Sequence, residues 1–295
     1  MIKLLVFDLG NVILPFDNRQ MTARNPDQQV YLPLQEKMLQ RWMKQEGLRT
    51  LPPYLGAYLL FVSGALEDSQ KNGGIAMKFE VAYFRSLNFS DPPRRQADEI
   101  YAKYVNGGVP TPEEYKTFQD FVFRYLITEA GRLHLPVHIH SAVGTGDYFN
   151  LSESNVMRLE NILRDPRYAN VTFVLIHGGY PLEREAIWLA AAKNVYLDSS
   201  LMEIVMYPSE FKNSLKQWLE TFPDKVTFGT DAFPYNNLLG AEESYWLGVR
   251  SARQGLAAAL AEMVSAGELS EPAALQVAHG YLHDNAAGLY GGKVR

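Results

Sequence analysis

Leu135-Pro136-Val137-His138-Ile139-His140-Ser141 is a short apolar run that ends in two imidazoles. Two similar runs follow it, Phe173-Val174-Leu175-Ile176-His177-Gly178-Gly179 and Val226-Thr227-Phe228-Gly229-Thr230-Asp231. Each has the length of a buried strand, and each ends in a side chain able to bind a metal ion. A helix-like segment follows each of the first two. The gaps between the terminal side chains correspond to about one or two strand–helix units. In a parallel barrel the strand ends converge on one face, so these residues can meet although they are far apart in sequence.

Outward from these runs the pattern stays regular. Strands are expected near residues 2–8, 74–83, 135–141, 171–177, 195–198 and 226–231. Thr111-Pro112-Glu113-Glu114 starts a helix running to about Gly131, with Thr at the cap, Pro at the first position and Glu three residues on. Further helices are expected from Ser152 to about Asp165, from Leu182 to Lys193 and from Pro208 to Thr221. The tail from about Glu242 reads as two Ala- and Leu-rich helices. Alternating strands and helices predict a parallel sheet with helices outside it, an α/β fold of the (βα)8 type. Six strands fall short of the eight that close such a barrel, so it is expected to be incomplete at its N-terminal end. The chain reads as one barrel domain over 1–295, with 1–19 an atypical strand and 20–70 irregular or helical, including helices over Pro33–Gly47 and Tyr54–Gly64.

At 295 residues and 47% hydrophobic the chain can bury a large core. A net charge of -5 gives no support for nucleic-acid binding. There is no cysteine, so disulfides, iron–sulfur clusters and thiolate zinc sites are excluded. A bound metal must use His, Asp, Glu or Lys, which suits zinc first and manganese or iron as alternatives. No run reaches the length of a membrane span, and no targeting signal stands out, so the expected compartment is the cytoplasm. A small-molecule substrate is the expected partner.

From about residue 50 onward, Leu-Pro-Val-His-Ile-His140, Phe-Val-Leu-Ile-His177-Gly-Gly-Tyr-Pro181 and Phe-Gly-Thr-Asp231-Ala-Phe-Pro234 together resemble the amidohydrolase-related family of metal-dependent barrel enzymes. The resemblance implies that His140 ligates the metal. It implies that His177 ligates a second ion or positions the reacting water, and that Asp231 is a ligand and the base. Lys78 falls where a lysine bridges two metals in some members. The family's His-x-His at the end of its first strand has no counterpart here, since the first histidine is His134. The opening Val6-Phe-Asp8-Leu-Gly-Asn-Val12 instead resembles the first motif of haloacid-dehalogenase-like phosphatases, which would make Asp8 a nucleophile. That likeness covers about residues 1–19, and no later motif of that family follows.

Each candidate also has a structural reading. His138 and His140 share a strand face. His140 lies nearer the functional end, and His138 would have to reach up from a deeper layer to act as a ligand. Gly178-Gly179 after His177 would let backbone approach a ligand closely. Asp231 is alternatively the cap of a following turn. Lys78 is alternatively the ion-pair partner of Glu80, and Asp198-Ser-Ser the cap of a loop. Gly144-Thr-Gly146-Asp147 resembles an anion cradle only weakly. Arg85 and Arg184 are candidate carboxylate clamps.

The leading expectation is a metal-dependent hydrolase or decarboxylase that activates water to attack the carbonyl of a small organic substrate. The alternatives are a phosphatase built on Asp8 and a truncated, non-catalytic barrel remnant. A partial ligand set predicts weak metal affinity. An open barrel predicts an exposed strand edge, which favours homo-oligomers and would be filled in part by pairing of the Ile2–Phe7 strand.

Overall fold

The computed structural model describes residues 3–6, 43–44, 47–83, 85–141, 143 and 150–291. Asp8, the 144–147 loop and nearly all of the expected 33–47 helix lie outside the described residues.

Six parallel strands form one sheet in sequential order: β1 (Lys3–Val6), β2 (Gly74–Phe79), β3 (Val137–His140), β4 (Phe173–Ile176), β5 (Val195–Asp198) and β6 (Val226–Thr227). Sequential parallel order is the order of a (βα) barrel, and six strands among the described residues leave it short of eight. The N-terminal strand does pair with a neighbour, since β1 lies beside β2. Around the sheet lie α1 (Leu55–Lys71), α2 (Arg94–Tyr104), α3 (Pro112–Arg132), α4 (Glu160–Leu163), α5 (Glu183–Ala186), α6 (Met202–Val205), α7 (Pro208–Thr221), α8 (Ala241–Ser265), α9 (Glu271–His279) and α10 (Asn285–Leu289).

Alternation along the strands separates two faces. Met77, Phe79, Val137, Ile139, Phe173, Leu175, Val195, Leu197 and Val226 turn outward into the hydrophobic core beneath the helices. The in-register residues of the other face include Lys78, His138, His140, Asp198 and Thr227. The second face is mixed, with Val174 and Ile176 beside the histidines, but it alone carries the polar strand residues: the helices cover the first face, and chemistry is confined to the second.

The α3 start follows its local code. Thr111 Oγ1 accepts from Glu114 N at 3.2 Å, and Glu114 accepts in return from Thr111 N at 2.9 Å. Pro208 opens α7 in the same way that Pro112 opens α3. Elsewhere the elements differ from expectation. The 152–165 helix is reduced to a 3-10 turn at Val156–Leu159 followed by α4. Asn150 and Asn155 explain this, because their side chains accept from Ser152 N and Met157 N and offer the backbone a turn instead of a helix. Beyond α5 the 182–193 helix continues only as 3-10 turns over Ile187–Ala191. Helix α2 is unforeseen, although its buried Ala97, Ile100, Tyr101 and Tyr104 hold helical spacing. The sixth strand stops at Thr227 because Phe228 N turns away to Tyr281 O, 3.2 Å distant.

Candidate metal centre

Two backbone distortions at the strand ends build the centre. Register alone would put the residue after Ile176 on the apolar face. His177 instead has φ of 67°, a left-handed conformation that breaks the alternation. Asp231 beyond β6 has φ of 48°. Positive φ in non-glycine residues at a strand-end face is strain that the surrounding packing must hold in place. The packing is visible at Gly178, where a Cβ would run into the Trp218 indole of α7. At Gly179 a Cβ would sit 2.7 Å from Val156. The two glycines therefore make room for side chains of the protein itself, where a close approach of ligand to backbone was expected.

His140, His177 and Asp231 come together at the C-terminal ends of the strands. His140 Nδ1 lies 3.2 Å from His177 Nε2, and that same nitrogen is 4.0 Å from Asp231 Oδ2. The two imidazoles are buried, while the Asp231 side chain is 35% exposed at the mouth. The Tyr83 ring packs on His140 with centroids 4.4 Å apart.

The other ring nitrogens identify the tautomers. His140 Nε2 is 2.7 Å from Val143 O, and His177 Nδ1 is 2.8 Å from Ser200 O. A carbonyl oxygen only accepts, so both of these nitrogens carry the hydrogen. In neutral imidazoles the remaining nitrogens are then bare, and these are the two that face one another at 3.2 Å. Two lone pairs in contact repel unless a cation or a shared proton lies between them. Burial opposes the proton. It is the main cause that lowers the His140 pKa, with His177 and Lys78 adding to it, and it also lowers His177 against the opposing pull of Asp231.

The donors thus fit a divalent cation in kind, since each neutral imidazole is oriented by a backbone carbonyl as metal-binding histidines are. Two nitrogens about 2.1 Å from a tetrahedral ion stand about 3.4 Å apart, close to the spacing seen here. The third donor stands further back. Among the described residues no group of three or more His, Cys, Asp or Glu is gathered closely enough to hold an ion outright.

The remaining candidates divide. His138 is on the same strand face, but its Nε2 is 2.6 Å from the Tyr290 hydroxyl, and burial lowers its pKa to about 3. Lys78 pairs with Glu80 at 2.8 Å, its structural reading. Arg85 is held by Asp120 at 2.7 Å and stacks on Phe89, and Arg184 is exposed on α5, so neither faces the centre as a clamp. Asp198 caps its loop, with Oδ1 accepting from Ser200 N at 3.0 Å.

Sequence reading missed Glu203 on α6. It is 1% exposed, and neither carboxyl oxygen has a hydrogen-bond partner among the described residues. Burial raises its pKa to about 10, with Asp198 and Asp231 adding to the shift. The Tyr235 hydroxyl is buried and has no partner among the described residues either, and its pKa rises to about 12 through burial, then Asp231 and Glu203. The only sequence signal was a second carboxylate five residues beyond the Asp198 strand end, in apolar company. Tyr290 gave none, because 152 residues separate it from His138.

An amidohydrolase family model matches residues 77–292. Protein fluG of Emericella nidulans is 28% identical over 243 residues, which cover 78% of this chain and 26% of that protein. Among solved structures, one assigned as a metal-dependent hydrolase from Lactobacillus casei aligns with a TM-score of 0.71 at 19% identity, over 86% of this chain and 64% of that one. A glucuronate isomerase from Caulobacter crescentus aligns with a TM-score of 0.67 at 15% identity, over 100% and 59%. The chain therefore spans about a quarter of the curated relative and about three fifths of these two structures. At such identities the structures speak for the fold alone. The matched span begins within β2 and takes in every strand-end side chain described above: this chain belongs to the amidohydrolase family.

Proposed function

We propose that the protein is a metal-dependent enzyme of the amidohydrolase type, acting on a carbonyl of a small organic substrate. The observation that carries the reading is the pair of bare imidazole nitrogens, 3.2 Å apart, with a carboxylate at their edge. Family membership and the barrel-like fold support it. His140 and His177 would hold the ion and Asp231 would complete the set, with zinc preferred over manganese or iron for an imidazole–carboxylate donor set. When bound, such an ion lowers the pKa of water and polarises a carbonyl.

The residues of the chain divide the remaining work. Asp231 is partly exposed at the mouth and suited to take a proton from the attacking water. His177 is fixed by Ser200 O and keeps its bare nitrogen aimed at the centre. The Tyr83 ring and the burial of both imidazoles keep bulk water from the back of the site. An amide, ester or lactone would be hydrolysed; decarboxylation of an aromatic acid is the second chemistry open to the same pocket. Lys78 is left outside this role, because it is paired with Glu80 at 2.8 Å. Two imidazoles and a carboxylate set back favour weak metal affinity, the same direction as the partial ligand set expected from the sequence.

Elemental analysis of the purified protein, before and after dialysis, tests the reading together with zinc titration of the dialysed protein. Binding of one zinc that the His140→Ala and His177→Ala variants lose supports it. A wild-type protein that binds no divalent ion at millimolar concentration refutes it. Magnesium-dependent cleavage of a phosphate ester that Asp8→Asn abolishes would favour the phosphatase instead.

A further inference from the structure

We infer that Asp198 is a positioning residue of this centre: it holds the loop whose Ser200 carbonyl fixes the tautomer of His177. The inference rests on the metal-centre reading above, and it assigns a task to a residue the chemistry has not yet used. Asp198 is the last residue of β5 and is 9% exposed. Its Oδ1 accepts from Ser200 N at 3.0 Å, two residues ahead, which folds the chain into a side-chain-capped turn. Its Oδ2 is 3.3 Å from Thr227 Oγ1 on β6. The segment just beyond β6 runs close over the carboxyl, since a Cβ at Gly229 would lie 2.9 Å from Oδ2.

The turn needs such a clamp. Leu201 follows at once with φ of 70°, a conformation a leucine does not adopt without being held. Ser199 is pinned on the other side by its N–H to Thr227 O at 3.0 Å and its hydroxyl to Tyr281 at 2.7 Å. Ser200 is thereby left with its carbonyl 2.8 Å from His177 Nδ1. The Ser200 hydroxyl is also near that nitrogen, at 3.2 Å. A hydroxyl both donates and accepts, so it permits either tautomer, whereas a carbonyl only accepts and permits one. The carbonyl keeps the hydrogen on Nδ1 and the lone pair on Nε2, toward His140. Orienting contacts of this kind change metal affinity by about 10- to 100-fold when they are lost.

Three variants separate positioning from mere support of the loop. Asp198→Ala removes the acceptor. Asp198→Asn removes the charge but keeps an oxygen for Ser200 N. Asp198→Glu keeps the charge but displaces it. The first readout uses dialysed protein and long-range 1H–15N spectra of its imidazoles, of which there are only six. His177 should carry its hydrogen on Nδ1 in wild type and in Asp198→Asn, and should become a tautomer mixture in Asp198→Ala and Asp198→Glu. The second readout is titration with Zn2+ or Co2+, where Asp198→Ala and Asp198→Glu should bind about 10- to 100-fold more weakly and Asp198→Asn close to wild type. If Asp198→Ala does not fold, the Asn and Glu variants decide. An unchanged His177 tautomer in the displaced or truncated variants overturns the inference. So does an Asn variant that behaves like the Glu variant. A wild type with the expected tautomer that nevertheless binds no ion refutes the metal-centre reading and leaves the positioning role standing.

Discussion

The polar face of the sheet has two layers made from the same kinds of residue, and they differ in what faces them. In the deeper layer His138 meets the Tyr290 hydroxyl and Lys78 meets Glu80, so each of the two has a partner within the protein. In the upper layer, two residues further along β3, His140 meets the bare nitrogen of His177, and Asp231 stands 4.0 Å from that nitrogen. The deeper layer is complete within the protein. The upper layer leaves two bare nitrogens 3.2 Å apart, the arrangement on which the metal-centre proposal rests. Residue type does not separate the two layers; partner geometry does.

Acid should expose the contrast most strongly. Burial depresses the pKa of His138 to about 3 and lowers those of His140 and His177. The unfolded chain takes up these protons near pH ~6.5 and the folded chain does not. Stability is therefore fully present above about pH 6.5 and falls as pH drops below it, down to about 3 for the His138 contribution, by up to about 1.4 kcal/mol per pH unit for each excluded proton. Denaturant unfolding between pH 7 and 4 should show this slope, and His138→Phe should reduce it by one proton. Added zinc should steepen the loss through the upper-layer pair alone. A pH-independent stability would show that the imidazoles are solvated.

Next in size is the effect on metal affinity. His140→Ala and His177→Ala should each weaken zinc binding by at least about 100-fold, or ~2.8 kcal/mol, as read by calorimetry. His138→Phe should leave affinity unchanged. If His138→Phe weakens it as much, the deeper layer belongs to the centre after all and the comparison collapses.

Glu203 sharpens the boundary between the layers. The folded protein keeps it protonated up to about pH 10, whereas the unfolded chain ionises near pH ~4.3. Its burial is therefore least costly below about pH 4.3 and destabilises increasingly as pH rises toward 10. Glu203→Gln should remove that alkaline slope, a gain of up to about 1.4 kcal/mol per pH unit above ~4.3, as read in melts at pH 5 to 8. No gain at pH 8 would mean that the carboxyl has a partner in solution.

The smallest effect is expected from Tyr290→Phe. It leaves His138 Nε2 without its hydroxyl at a cost of about 1 kcal/mol in unfolding free energy, with zinc affinity unaltered. A drop in zinc affinity would show that the C-terminal segment shapes the upper layer as well.

Much of this was readable from local pattern. The sequence reading found six strands, four of them within about two residues of their ends, and β2 and β6 overextended, since buried apolar runs with terminal polar residues need no long-range information. The α3 capping box and the α7 Pro start were legible for the same reason. The 152–165 helix was over-read because apolar spacing does not register asparagine side chains competing for backbone amides, and the 182–193 helix was over-read as well, continuing past α5 only as 3-10 turns. Helix α2 was passed over although its burial spacing was present.

By itself the sequence determined that His138, His140, His177 and Asp231 sit at or near the ends of parallel strands, because hydrophobic alternation and chain direction are local properties. It also determined that any bound metal must use nitrogen and oxygen donors, because the chain has no cysteine. Only the tertiary structure decided which histidines meet. His177 reaches His140 through a left-handed turn that Trp218 packs against, and His138 is claimed by a tyrosine 152 residues away. Glu203 became notable only when α6 buried it with no partner among the described residues. These are facts of long-range packing, and packing places a lone pair, a proton or an unpaired carboxyl according to neighbours that local sequence does not contain.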